Sequence, residues 1–238
     1  MGEGVKRGSP IEPRDPWAEP VRTREPALKL PWPAAVLVTI LIGCYFLQST
    51  LGNPDELAGA FGFIPAALSQ GVWFGLVTAL FVHGSWWHVL VNSAFALAFC
   101  APVARRFGPS PLGALMFFLF FLTCGGAGNL GYALIHPGDG HAVVGASGAI
   151  AGFIAATSRL LWRGPGLAPL TSPTVVTMSL SIVILNLIVG LFHISPGLGA
   201  DGAPVAWETH IVGYLTGLFL FGLFDRFAPG QRFQRRKD

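Results

Sequence analysis

WWHVLVNSAFALAFCAPVARRFGPSPLGALMFFLFFLTCGGAGNLGYALI, residues 86–135, decides the fold. Two stretches in it, 86–104 and 112–135, contain no Asp, Glu, Lys or Arg. Between them stand Arg105, Arg106 and the turn-forming run Gly108-Pro109-Ser110-Pro111. Each stretch is near the ~20 residues that an α-helix needs to cross a hydrocarbon core of ~30 Å. The pattern predicts two apolar helices joined by a short basic turn at a membrane surface.

The same pattern extends in both directions. Further apolar stretches run over roughly 34–51, 143–162, 175–193 and 206–224, with Pro, Gly and charged residues in the gaps. Over the whole chain of 238 residues, 52% are hydrophobic and 11% charged, where a soluble domain carries about 25% charged residues. Residues 1–32 differ: they are Pro-rich, carry both signs of charge and lack the apolar core of a signal peptide. That composition predicts a disordered tail, a membrane domain over 33–228 and a short basic tail over 229–238. Cys44, Cys100 and Cys124 sit in separate apolar stretches without metal-site spacing and read as small hydrophobes.

Charge placement fixes the expected topology, because cytoplasmic loops carry an excess of Lys and Arg. All 15 basic residues fall in four places: the N-terminal tail, Arg105–Arg106, Arg159 with Arg163, and the C-terminal region from Arg226. Six crossings with both termini cytoplasmic put every one of them inside. The apolar piece 71–82, short for a span and preceded by Pro65, Gln70 and Gly71, would as a crossing move the later clusters outside. It is expected to lie in or on the outer leaflet. The net charge of +3 is thereby assigned to the membrane surface, and no nucleic-acid partner is expected.

In this topology the second, fourth and sixth helices run in the same direction. Ser147 stands twelve residues above Arg159, roughly 18 Å at 1.5 Å per residue. Asn92 stands thirteen above Arg105 and His210 sixteen above Arg226, about 20 and 24 Å. His88 and Asn92 are spaced i and i+4 and share a helix face. Polar side chains inside a membrane are by default functional and face the bundle interior. A serine with a histidine base, and donors for an oxyanion in the Ser147 N–H, Asn92 and His88, are the parts of a serine hydrolase. No buried carboxylate is expected beside them, since Glu208 and Asp225 lie toward the ends of the last span. Small residues surround both positions, in Gly145-Ala146-Ser147-Gly148-Ala149 with Gly152, and in His210-x-x-Gly213-x-x-x-Gly217. They let helices approach closely enough for the two side chains to meet.

His83-x-x-x-x-His88-x-x-x-Asn92, Gly145-Ala146-Ser147-Gly148 and His210-x-x-Gly213-x-x-x-Gly217 resemble, in order and helix placement, the motifs of the rhomboid family of intramembrane serine proteases. The resemblance covers roughly residues 33–228 and implies an all-α, six-transmembrane-helix bundle. It implies Ser147 as nucleophile, His210 as general base, and His88 and Asn92, with Gly145 and Gly148, as the oxyanion and substrate-binding group. It implies transmembrane protein substrates, cleaved within or next to the membrane, and no metal or organic cofactor. The segment before His83 becomes the first external loop, and the fifth span with 194–205 the lateral gate and cap. Three positions depart from the family pattern: Gly75 where an Arg often follows a Trp, Ala104 where a Glu often stands, and Ala151 where some members carry an aromatic that packs on the histidine. The candidates for positioning the His210 ring are Phe153 and Tyr214.

Two other classes of function compete. An inactive rhomboid-like binding protein generally lacks the serine or the histidine, and this chain has both. A small transporter would show internal repeats or paired broken helices, and the sequence carries no convincing repeat. A zinc site is disfavoured, because the sequence has no His-Glu-x-x-His motif and no buried carboxylate is expected. The expected location is a bacterial cytoplasmic membrane, as a multi-pass protein with the lipid bilayer as its surroundings.

Overall fold

A computed structural model describes residues 30–162, 164, 166–192 and 205–230. Residues 1–29 of the tail expected over 1–32, residues 231–238 of the tail expected over 229–238, the basic residue Arg163, His193 and all but the last residue of the cap expected over 194–205 lie outside these residues. The elements are α1 (Trp32–Leu51), α2 (Pro54–Phe61), α3 (Gly75–Thr78), α4 (Trp86–Phe107), α5 (Pro111–Ile135), α6 (Ser147–Leu160), α7 (Pro173–Leu191) and α8 (Trp207–Phe227), with 3₁₀ turns at Pro65–Gln70 and Ala79–Phe81. Among the described residues there is no β-strand, only one isolated bridge between Phe63 and Val143.

Helix starts follow the local chemistry. Ser85, Ser110 and Ser172 cap α4, α5 and α7, their side chains accepting the N–H of His88, Gly113 and Val175. Pro occupies the first turn of α5 and α7, where its missing N–H costs nothing. The short α2 was not expected, although Asn53 caps it and Pro54, Asp55 and Glu56 fill its first turn, a helix-start signal plain in the sequence. Residues 71–82 form no helix of crossing length: they are divided between α3 and the 3₁₀ turn at Ala79–Phe81.

Four helices, α1, α4, α5 and α7, are long and apolar enough to cross a membrane. α8 is long enough, but Glu208, His210, Asp225 and Arg226 lower its mean hydropathy. α6 is shorter than the expected 143–162: it has 14 residues, about 21 Å. The reason lies ahead of it. Val143 exchanges backbone hydrogen bonds with Phe63 (2.9 and 2.8 Å), and the Gly145 N–H donates to Ala79 O (2.9 Å). These residues are held out of the helix by bonds to the 62–81 loop, and the helix starts only at Ser147. From there on α6 is buried continuously, from Gly148 to Ser158.

α6 packs against α4, α5, α7 and α8. Its tightest meeting is with α8, through facing glycines. A Cβ on Gly213 would collide with the Gly148 carbonyl, and one on Gly217 with the backbone of Gly152. α5 joins through Gly128, where a Cβ would stand 2.7 Å from the Thr209 carbonyl oxygen. Away from these glycine seams, Phe117, Phe120, Phe121, Phe153 and Phe221 fill the space between α5, α6 and α8.

At the end of α4, Arg106 binds Asp225 of α8 through two nitrogens, at 2.8 and 3.1 Å. Asp225 is buried, its side chain 4% exposed. Removing one member of a buried pair strands the other charge, at about 3 kcal/mol or more. Asp225→Ala is therefore expected to lower the detergent-solubilised unfolding temperature, followed by tryptophan fluorescence. The double variant Arg106→Met, Asp225→Leu should recover much of the loss, because it removes both charges.

Candidate active site

Three uses of backbone bring the polar residues together. The Ser85 cap fixes the first turn of α4, which carries His88 and, one turn further, Asn92. The non-helical segment ending at Ala146 delivers Ser147 as the first residue of α6. The glycine seam presses α8 onto α6, with His210 in the first turn of α8. Ser147 Oγ and His210 Nε2 are 2.7 Å apart. Both residues are partly exposed, whereas His88, Asn92 and Gly148 are buried.

Gly145 is the point on which His88 and Asn92 converge. Its φ of +115° favours glycine, and a Cβ there would stand 2.7 Å from His88 Nε2 and 3.6 Å from Asn92 Nδ2. Asn92 Nδ2 is buried without a hydrogen-bond partner, as is His88 Nδ1. A buried amide donor left unused carries a desolvation cost. Here it faces the backbone two residues before Ser147. Neither α6 nor α8 has a side-chain cap, so the first-turn N–H groups at Ser147 and Gly148 are not claimed by a capping side chain.

His210 is held on its other side by a residue that the sequence reading did not single out. His210 Nδ1 lies 2.7 Å from Asn186 Oδ1 of α7. The amide oxygen can only accept, so Nδ1 carries the proton and Nε2 presents its lone pair to the Ser147 hydroxyl. Neither expected candidate does this. The Tyr214 hydroxyl pairs with Ser179 Oγ at 3.0 Å, and the Phe153 ring stacks among Phe117, Phe120 and Phe121. Ala151 packs with Val175, Tyr214 and Leu218. The carboxylates of α8 are engaged elsewhere, Glu208 with His136 at 2.9 Å and Asp225 with Arg106.

His83 lies in the loop before α4 but is fully buried, its ring edge-on to His88 with centroids 5.0 Å apart. Gln48 clamps its backbone, donating to the carbonyl at 2.8 Å and accepting from the N–H at 3.2 Å. In the loop after α5, burial of the Asp139 carboxyl is outweighed by hydrogen bonds from Tyr132 and His141, which hold it below the usual carboxylate range. Gly75, at the position of the family's loop arginine, packs directly on Gly62, where a Cβ would meet the carbonyl oxygen at 2.8 Å. Among the described residues no group of three His, Cys, Asp or Glu side chains is placed to hold a metal ion.

Comparison with known proteins identifies the family. The rhomboid domain model matches residues 70–226, a region that runs from before α3 to the last turn of α8 and contains His88, Asn92, Ser147, Asn186 and His210. The chain belongs to the rhomboid family, and with its apolar helices it is an integral membrane protein. It is similar to the protein named "Putative rhomboid protease YdcA" from Bacillus subtilis (strain 168), with 30% identity over 122 residues. That match covers 51% of this chain and 58% of the relative.

Proposed function

We propose that this protein is an intramembrane serine endopeptidase that cleaves transmembrane or juxtamembrane segments of other membrane proteins. The observation that carries the reading is the 2.7 Å contact between Ser147 Oγ and His210 Nε2, in a chain of the rhomboid family. Ser147 attacks the scissile carbonyl carbon while His210 Nε2 takes the hydroxyl proton. The carbonyl oxygen becomes an oxyanion, which Asn92 Nδ2, His88 and the first-turn N–H groups at Ser147 and Gly148 stabilise. His210 then returns its proton to the leaving amine, giving an acyl-enzyme on Ser147. Water, deprotonated by the same imidazole, hydrolyses that ester and restores the hydroxyl. Gly145 keeps room for the two side-chain donors, and no step calls for a metal or organic cofactor.

The bundle is proposed to cross the membrane six times, with α1, α4, α5, α6, α7 and α8 as spans and both termini in the cytoplasm of a bacterium. The distribution of all 15 Lys and Arg residues supports this. The test is accessibility of single cysteines in a background with Cys44, Cys100 and Cys124 replaced by Ala. Gly138→Cys is expected to react with an impermeant thiol reagent added outside intact cells, and Pro109→Cys only after the membrane is opened. Labelling of position 109 from outside would overturn the topology. Proteolysis is tested with the full-length chain and a transmembrane substrate in phospholipid vesicles. Cleavage that disappears in Ser147→Ala supports the reading, and cleavage unaffected by it overturns it.

A further inference from the structure

We infer that Asn186 is a positioning residue for His210, the third member of a Ser147–His210–Asn186 relay; this rests on the protease reading above. α7 is an apolar helix whose buried residues are Val175 and Asn186 alone. A polar side chain 5% exposed on such a helix is costly unless its groups are satisfied, and Asn186 satisfies them in a directed way. Its Nδ2 donates to the Ile182 carbonyl one turn back at 2.8 Å. That bond fixes which end of the amide is nitrogen and leaves Oδ1 facing His210 Nδ1 at 2.7 Å.

The consequence is chemical rather than only steric. A free histidine side chain favours the tautomer with its proton on Nε2, in which the nitrogen facing Ser147 has no lone pair to offer. Which nitrogen carries the proton is set by the hydrogen bond that the other ring nitrogen makes. Asn186 Oδ1 accepts from Nδ1 and so holds the ring in the tautomer that can take the Ser147 proton. When Nε2 is protonated during the attack, the Nδ1–H bond to Asn186 persists and no proton passes to the amide. Among the described residues, the side-chain hydrogen bonds between α7 and α8 are this one and Ser179–Tyr214. The helix that the family resemblance assigns to the lateral gate therefore touches the base itself, so that its docking and the competence of His210 are coupled.

The test uses the full-length protein with ¹⁵N-labelled histidine in detergent, at a pH where His210 is neutral, with its signal identified by loss in His210→Ala. The parent is expected to carry the proton on Nδ1. Asn186→Leu, similar in volume and without an acceptor, should shift the ring toward the Nε2–H form. In vesicles it should lower kcat about 10- to 100-fold with little change in KM, less than the ~10⁴-fold loss when a third member enforces the wrong tautomer. Asn186→Asp keeps an acceptor and is expected to restore the Nδ1–H form and most of kcat. A parent ring protonated on Nε2, or an Asn186→Leu variant with the parent's kcat, would overturn the inference. A parent that shows the Nδ1–H form yet cleaves no transmembrane substrate would instead count against the protease reading.

Discussion

Ser147→Ala, His210→Ala and the double substitution are expected to be equally inactive on a transmembrane substrate. In soluble serine hydrolases the nucleophile and base act as a unit, and losing either costs about as much as losing the whole set, on the order of 10⁶ in kcat. The geometry gives the same reason here. The Ser147 hydroxyl has one base within reach, His210 Nε2 at 2.7 Å. His83 and His88 pair edge-on with each other, His88 against Gly145, while His136 and His141 are engaged by Glu208 and Asp139. None of these can replace His210. The fold should survive both changes, since Ser147→Ala removes a single oxygen and His210 is partly exposed already. Quantified cleavage in vesicles, with unfolding temperature as the control, checks this. Substantial cleavage by either single variant would remove the dyad from the mechanism.

Loss of the oxyanion donors should be graded rather than complete. Asn92→Ala removes a buried amide whose Nδ2 has no other partner, and His88→Ala removes the ring beside Gly145. One such donor is worth about 10²–10³ in turnover. Each variant should cleave slowly while its Ser147 still reacts with a small electrophile, because nucleophile and base stay in contact. Gly145→Ala should behave at least as badly as His88→Ala, since the new Cβ meets the imidazole at 2.7 Å in a backbone conformation unfavourable to alanine. Near-parent cleavage in both Asn92→Ala and His88→Ala would reduce these side chains to packing.

Much of the helix layout was legible in the sequence because membranes demand long uninterrupted apolar stretches. The ends of α1, α4, α5, α7 and α8 lie close to the limits set by Pro, Gly and the basic residues. The glycine faces of α6 and α8 were legible for the same kind of reason, since small residues at a four-residue spacing mark close helix contact. The late start of α6 was not. It depends on hydrogen bonds from Val143 and Gly145 to Phe63 and Ala79, partners far away in the chain that no local pattern names. The Arg106–Asp225 pair, 119 residues apart, is of the same kind. Asn186 is different, because a lone amide within an apolar helix is by default a functional candidate. That signal stood in the sequence, overshadowed by the motif residues. Phe153 and Tyr214 stand one or two turns from Ser147 and His210 along their helices, but Phe153 packs among the phenylalanines of α5 and the Tyr214 hydroxyl is taken by Ser179, partners that no local pattern names.

Activation of Ser147 by His210 is tested most directly by reaction of the purified chain with a fluorophosphonate probe, read by intact mass and peptide mapping. The parent is expected to gain one adduct, on Ser147, with none in Ser147→Ala and little in His210→Ala. An unlabelled parent that remains folded, or an adduct that persists in Ser147→Ala, would contradict the account.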